Sequence, residues 1–189
     1  LQIDASNSMS HRFGKLLVYL ATQVADQGWT QFVGAKGEVL WHKIVLSGSS
    51  QGGKVATLLS RDHLVARTVM MAAMGSATKE AGGAIVPRPW SSKPRKTPPS
   101  RVYGLWHQQE GANKAAHILL GSYGVDAFGG VVDVDDKPPP YGCSHMLRTN
   151  LLPQSGDYAD AHKSTAADAL QALDDKGLPI LTPTYIYML

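Results

Sequence analysis

The chain has 189 residues, 43% of them apolar and 17% charged, enough for one domain with a sizeable core and ordinary for a soluble globular protein. A formal net charge of +3 argues against nucleic-acid binding, and the basic residues Arg88, Lys93, Arg95 and Lys96 are interleaved with prolines, not with an aromatic–basic recognition module. The single cysteine, Cys143, excludes an intramolecular disulfide; no apolar run reaches the length of a membrane span, and no targeting signal is visible after Leu1, which leaves the compartment open.

Met9, Phe13, Leu16, Leu17, Leu20 and Val24 fall at helical spacing, so a helix is predicted from a cap at Asn7 or Ser8 to about Gln27, with Gly28 as its stop. Trp29 to Trp41 reads as a connection with turn signals at Gly34 and Gly37. A short buried strand is predicted at about Lys43 to Leu46, and a helix to about Arg61 uses Val55, Ala56, Leu58 and Leu59. Between them lies Gly48-Ser49-Ser50-Gln51-Gly52, a Gly-x-Ser-x-Gly turn in the strand-to-helix setting of a nucleophile elbow. Such a turn requires small residues two before and two after the serine and holds the serine in a strained conformation, its hydroxyl above the sheet edge. The alternative is a phosphate cradle at a helix N-terminus, but Lys54 is followed by Val55, not Ser or Thr, and the dinucleotide glycine spacing is incomplete.

Val65 to Ala72 is predicted as a second strand. Ala73 to Ser100 is rich in Gly, Pro, Ser and Lys with little periodicity, and is expected to act as a lid or cap on the carboxyl side of the sheet. A third strand is predicted at Val102 to Trp106, a helix at Ala112 to Gly121 and a fourth strand at Gly130 to Val134. Lys137 to Ser155 reads as loop; Ser164 to Leu173 reads as helix, with Thr165 and Asp168 able to form a capping box. The tail from Leu178 to Leu189 is apolar but punctuated by proline. Strands alternating with helices favour one α/β domain over 1–189, a mostly parallel sheet with helices on both faces.

The elbow, with an acid after the next strand but one and a late histidine, resembles the α/β-hydrolase superfamily. Arg12-Phe13-Gly14-Lys15-Leu16-Leu17, Gln27-Gly28-Trp29, Ser47-Gly48-Ser49-Ser50-Gln51-Gly52-Gly53, Val102-Tyr103-Gly104-Leu105-Trp106-His107 and Asp160-Ala161-His162-Lys163-Ser164 are similar to segments of a bacterial group of serine esterases. That group usually carries Gly-His-Ser-Gln-Gly, where this chain has Ser49, and usually Asp where this chain has Glu110. The resemblance implies an esterase or lipase acting through an acyl-enzyme on a small-molecule ester or lipid, with no cofactor and no metal. Superfamily members also carry several strands before the elbow, one of which supplies a loop to the oxyanion hole. Only a helix and a short connection stand there in this chain, which implies a truncated or reduced form whose N-terminal strands are missing.

Ser50 is the expected nucleophile, and the Gln51 backbone N–H, opening a helix, the expected oxyanion donor. His162 is the preferred base, because the superfamily's order is Ser, acid, His. His145 is the runner-up, with packing of the proline loop as its other role; His107 is placed to line a pocket, and His11, His42, His63 and His117 read as scaffold. Glu110 is the preferred acid, with Asp126, Asp133, Asp135 and Asp136 as competitors. The Asp133 to Asp136 cluster lacks the further spaced oxygen ligands of a cation site. Trp90, Trp106, Tyr103, Met70, Met71 and Met74 are read as acyl-pocket lining or as core. The competing readings are a non-catalytic hydrolase remnant that serves as a binding module, and an acyltransferase or peptidase on the same scaffold. The elbow strand is expected to present an open apolar edge, and the chain to associate with a missing N-terminal segment or a second copy.

Overall fold

The computed structural model describes residues 4–73, 77–111 and 113–189. Met74, expected in a pocket, and Ala112, the expected start of a helix, lie outside them. Helix α1 (Met9–Gln23) is capped by Ser8, whose hydroxyl accepts the His11 N–H at 3.2 Å. It ends at Val24, and a 3-10 turn (Ala25–Gln27) then runs to Gly28 at φ 77, a left-handed position suited to glycine. Phe13 meets Trp41 with ring centroids 5.5 Å apart, and Trp41 stacks on His63 at 4.0 Å, which joins the N-terminal region to the rest of the domain.

Strand β1 (Val45–Ser49) leads into α2 (Gln51–Asp62), followed by β2 (Arg67–Met71) and a small antiparallel pair, β3 (Ala77–Lys79) and β4 (Ile85–Pro87). Then come β5 (Val102–His107), α3 (Asn113–Ser122), β6 (Val131–Asp133), β7 (Met146–Thr149), the single turn α4 (Ala161–Ser164) and α5 (Thr182–Met188). The main sheet has order β1-β2-β5-β7-β6, and every pairing in it is parallel. The chain is therefore α/β.

Strand residues alternate between the two faces. Met70, Val102 and Trp106 face Ala116, Leu119, Leu120 and Tyr123. A Cβ on Gly104 would fall 2.6 Å from Leu120 Cδ1, so α3 lies directly on β5. Val69, Tyr103, Leu105 and Leu147 face Leu181 and Met188, which puts α5 on the opposite face. All six residues of β5 are buried, whereas every residue of β1 is exposed or half-buried and β1 pairs with β2 alone in this sheet.

The strand expected as buried at about Lys43 to Leu46 is β1, Val45–Ser49, with no fully buried residue, and three further segments differ from the sequence expectation. Met146–Thr149, read as loop, is β7. Its four residues are too few to show a period, and its place is fixed by pairing between β5 and β6. Ser164 to Leu173, read as one helix, is α4 followed by a separate 3-10 turn (Asp168–Leu170). Thr165 is fully buried with no partner for Oγ1, and Ala167 is extended at φ −100, ψ 116, so no capping box forms and the helix cannot continue. Within Ala73 to Ser100, β4 packs on α3, and Thr97 is anchored by its hydroxyl, which accepts Val65 N–H at 2.9 Å and donates to His63 O at 2.7 Å.

Candidate active site

The turn from β1 into α2 is sharp enough to force Ser50 to φ 52, ψ −115, a positive-φ conformation that costs a non-glycine residue about 1–2 kcal/mol. Its N–H is held by Met71 O at 2.8 Å, at the carboxyl edge of the sheet. Gly48 is indispensable to the turn: a Cβ there would sit 2.4 Å from the Gly52 carbonyl carbon. The second crowded position is Gly53, where a Cβ would sit 2.4 Å from Ala73 Cβ and 2.8 Å from Gly48 O; a Cβ on Gly52 would meet nothing within 4 Å. The expectation that Gly52 must be small is thus corrected by one residue. As the first residue of α2, Gln51 carries an N–H without an intrahelical acceptor.

Glu110 and His162 meet. Glu110 follows β5 with its side chain 5% exposed, and its Oε1 lies 2.5 Å from Nδ1 of His162, whose side chain is 45% exposed on α4. A carboxylate can only accept, so Nδ1 carries the proton and Nε2 is the basic lone pair of the neutral ring. Ser50 Oγ makes no hydrogen bond with a described residue, His162 included.

His107, considered above only for a pocket, is wholly buried and cross-links the two loops that carry this pair. Its Nδ1 accepts Gln109 N–H at 3.0 Å, its Nε2 donates to Leu151 O at 2.8 Å, and its carbonyl accepts Glu110 N–H at 3.2 Å. The sequence signal for this role is a lone polar residue closing a fully apolar strand.

The other candidates stand elsewhere. His145 immediately precedes β7, at the amino edge of a parallel sheet whose strands carry Ser50 and Glu110 at the carboxyl edge. It is stacked between Tyr103 at 3.9 Å and Phe128 at 4.7 Å, its Nδ1 on Val102 O at 3.1 Å, and burial holds its pKa below the ordinary histidine value. It is a packing residue. His11, His42 and His117 are exposed, and His63 is stacked on Trp41. Asp133 pairs with Arg148 at 2.6 Å, and Asp135 accepts from Thr149 Oγ1 at 2.5 Å and Asn150 N–H at 2.7 Å. Asp133 closes β6 and Asp135 follows it, four strands from β1, roughly 19 Å at the usual strand spacing. Asp126 and Asp136 are exposed. Among the described residues no group of three or more His, Cys, Asp or Glu is placed to hold a metal ion, and no helix is long and apolar enough to cross a membrane. Trp106, Tyr103 and Met70 are core, Trp90 is half-buried, and Met71 lines an open pocket of about 230 Å³ beside β1.

Comparison of the chain with protein-family models, with curated proteins and with solved structures finds no match.

Proposed function

We propose that this protein is a serine hydrolase of carboxylic esters, built on an α/β-hydrolase scaffold and working through an acyl-enzyme. The observation that carries the reading is Ser50 at φ 52, ψ −115 on a strand-to-helix turn, at the same sheet edge as a buried carboxylate bonded to a half-exposed histidine. An unassisted hydroxyl is a poor nucleophile, and a base oriented by a third group supplies what it lacks.

In the proposed reaction Ser50 Oγ attacks the ester carbonyl carbon while His162 Nε2 takes its proton. The Gln51 N–H donates to the developing oxyanion, aided by the positive end of the α2 dipole. The tetrahedral intermediate collapses, the C–O bond to the alcohol breaks, and the imidazolium returns the proton to the departing alkoxide. Water then repeats the sequence on the acyl-enzyme: His162 takes a water proton, hydroxide adds to the carbonyl, and Ser50 leaves with the proton returned. Glu110 stays ionised throughout, holding Nδ1–H and stabilising the imidazolium.

One observation favours the reading as a non-catalytic remnant: Ser50 Oγ and His162 share no hydrogen bond. Catalytic hydrogen bonds are often open in unliganded enzymes, so this does not displace the first reading. A fluorophosphonate probe separates the two. Labelling of the native protein that disappears in Ser50→Ala, together with loss of p-nitrophenyl acetate turnover, supports the hydrolase. A folded native protein that neither labels nor turns over the ester rejects it.

A further inference from the structure

The open pocket of about 230 Å³ lies beside the elbow strand on the face opposite α2, and its position ties it to both halves of the proposed site. One wall is Ser47 on β1 with Val69 and Met71 on β2. Met71 is in register with Ser49, and its carbonyl oxygen accepts the Ser50 N–H. The facing wall includes Ala166, four residues after His162, with Tyr185 and Met188 of α5 closing it below. Ser50 and His162 themselves stand outside the lining, three residues after Ser47 and four before Ala166.

Its chemistry is neutral and apolar. No Asp, Glu, Lys, Arg or His side chain among the described residues lines it. Most polar groups on its walls are engaged or sealed: Tyr185 donates its hydroxyl to Thr165 O at 3.0 Å, Gln171 Nε2 donates to Asp168 at 3.2 Å, and Gln171 Oε1 is shut off from solvent, while the hydroxyl of the exposed Ser47 is open. The wall therefore offers methylene and thioether surface, an aromatic ring and one hydroxyl, that of Ser47. At about 30 Å³ for each water-sized group, the pocket holds about seven or eight heavy atoms.

We propose that this pocket seats the acyl chain of an unbranched ester of about six to eight carbons, making the protein a medium-chain esterase; the chemistry, though not the binding, rests on the hydrolase reading. Each methylene buried raises binding about threefold to fourfold. kcat/KM for p-nitrophenyl esters is then expected to rise by about a hundredfold from acetate to hexanoate and to fall again at palmitate, which outgrows the pocket. Ala166→Leu, which adds bulk at a partly exposed wall position, should lower the ratio of hexanoate to acetate kcat/KM about tenfold or more; Ser47→Leu is a second filling variant should the first fail to fold.

Binding is tested apart from catalysis on Ser50→Ala protein by titrating hexanamide against its 13C-methyl methionine resonances. Saturable shifts at Met71 and Met188 but not at exposed Met9, weakened by Ala166→Leu, support the proposal. Absence of saturable shifts at Met71 and Met188 overturns it, even where the native protein hydrolyses acetate. A protein that binds hexanamide in this way yet hydrolyses no ester keeps the pocket and loses the hydrolase reading. A chain-length profile that is flat, or that neither filling variant changes, also overturns it.

Discussion

Strands β1 and β5 belong to one sheet and would carry two parts of one proposed site, yet they are built oppositely. β5 is buried at all six positions, paired on both sides and covered by α3 on one face and the α5 region on the other. β1 is paired on one side and nowhere fully buried. The acid, Glu110, grows from the buried strand and is itself buried, whereas Ser50 sits on the open one. The contrast shows where rigidity resides. The Glu110–His162 pair is fixed by burial and by His107, while Ser50 is fixed by local backbone crowding at Gly48 and Gly53. Chemistry and stability should therefore respond to different substitutions on the two sides.

The largest expected effect joins the two sides, because it falls on nucleophile and base together. His162→Ala should cut p-nitrophenyl ester turnover about 10⁴-fold or more, nearly as much as Ser50→Ala, because nucleophile and base act as a unit. His145→Phe, at the other end of the sheet, should leave turnover within about threefold; a reversed ranking by initial-rate kinetics would mean that the base is misassigned. Glu110→Gln should cost about 10²- to 10³-fold, since the carboxylate orients and stabilises but does not transfer the proton. Full activity in that variant would remove Glu110 from the site.

His107→Leu comes next and addresses the brace. It removes the partner of Gln109 N–H and of Leu151 O, both only partly buried, at about 0.5–1.5 kcal/mol for each hydrogen bond lost. Turnover should fall about tenfold with little change in KM, because the substrate is not touched. A loss of stability without loss of kcat would make His107 structural only.

On the open side the elbow itself gives a sharper contrast. Gly48→Ala and Gly53→Ala each place a methyl against backbone or Ala73 and should cost about 1–3 kcal/mol in urea unfolding. Gly52→Ala meets open space inside a helix and should be neutral or stabilising by up to about 1 kcal/mol. Equal costs at Gly52 and Gly53 would mean that the turn is not crowded in the way described.

What the sequence made legible follows the same division. β1, β2, β5, α2 and α3 were readable because each has a period long enough to register or a sharp turn at its end. The elbow was readable because Gly48 and Ser50 answer a local steric demand, and the Glu110–His162 pairing because chain order constrained the choice. β7 was not readable: four residues including Arg148 carry no alternation, and their strand state comes from neighbours distant in sequence. The break after α4 was hidden for a related reason. Thr165 and Asp168 have capping chemistry, but burial of Thr165 against Tyr185 overrides it. Of the pocket only Met71 was legible, because the walls come from β1, β2, the segment after α4 and α5, an assembly no spacing encodes. Crowding of Gly53 also needed the fold, since Ala73 arrives from another strand's end.

The smallest expected effect is on stability with pH, and it concerns the packing histidines. Burial is the leading cause of the lowered pKa at His145, and it also lowers His63. A histidine depressed in the fold is neutral there while the unfolded chain begins to take up a proton near pH 6.5. The unfolded state therefore binds more protons below that pH, so the stability these residues contribute is fully present above about pH 6.5 and is lost as pH falls toward their folded values. The melting temperature should fall between pH 7 and pH 5. His145→Phe keeps a ring between Tyr103 and Phe128 but removes the titration, so its melting temperature should vary less over that interval than the native protein's. Differential scanning calorimetry of the two proteins at pH 5, 6 and 7 reads this directly. A native-like slope in His145→Phe would show that the stacked ring is not what couples folding to protons.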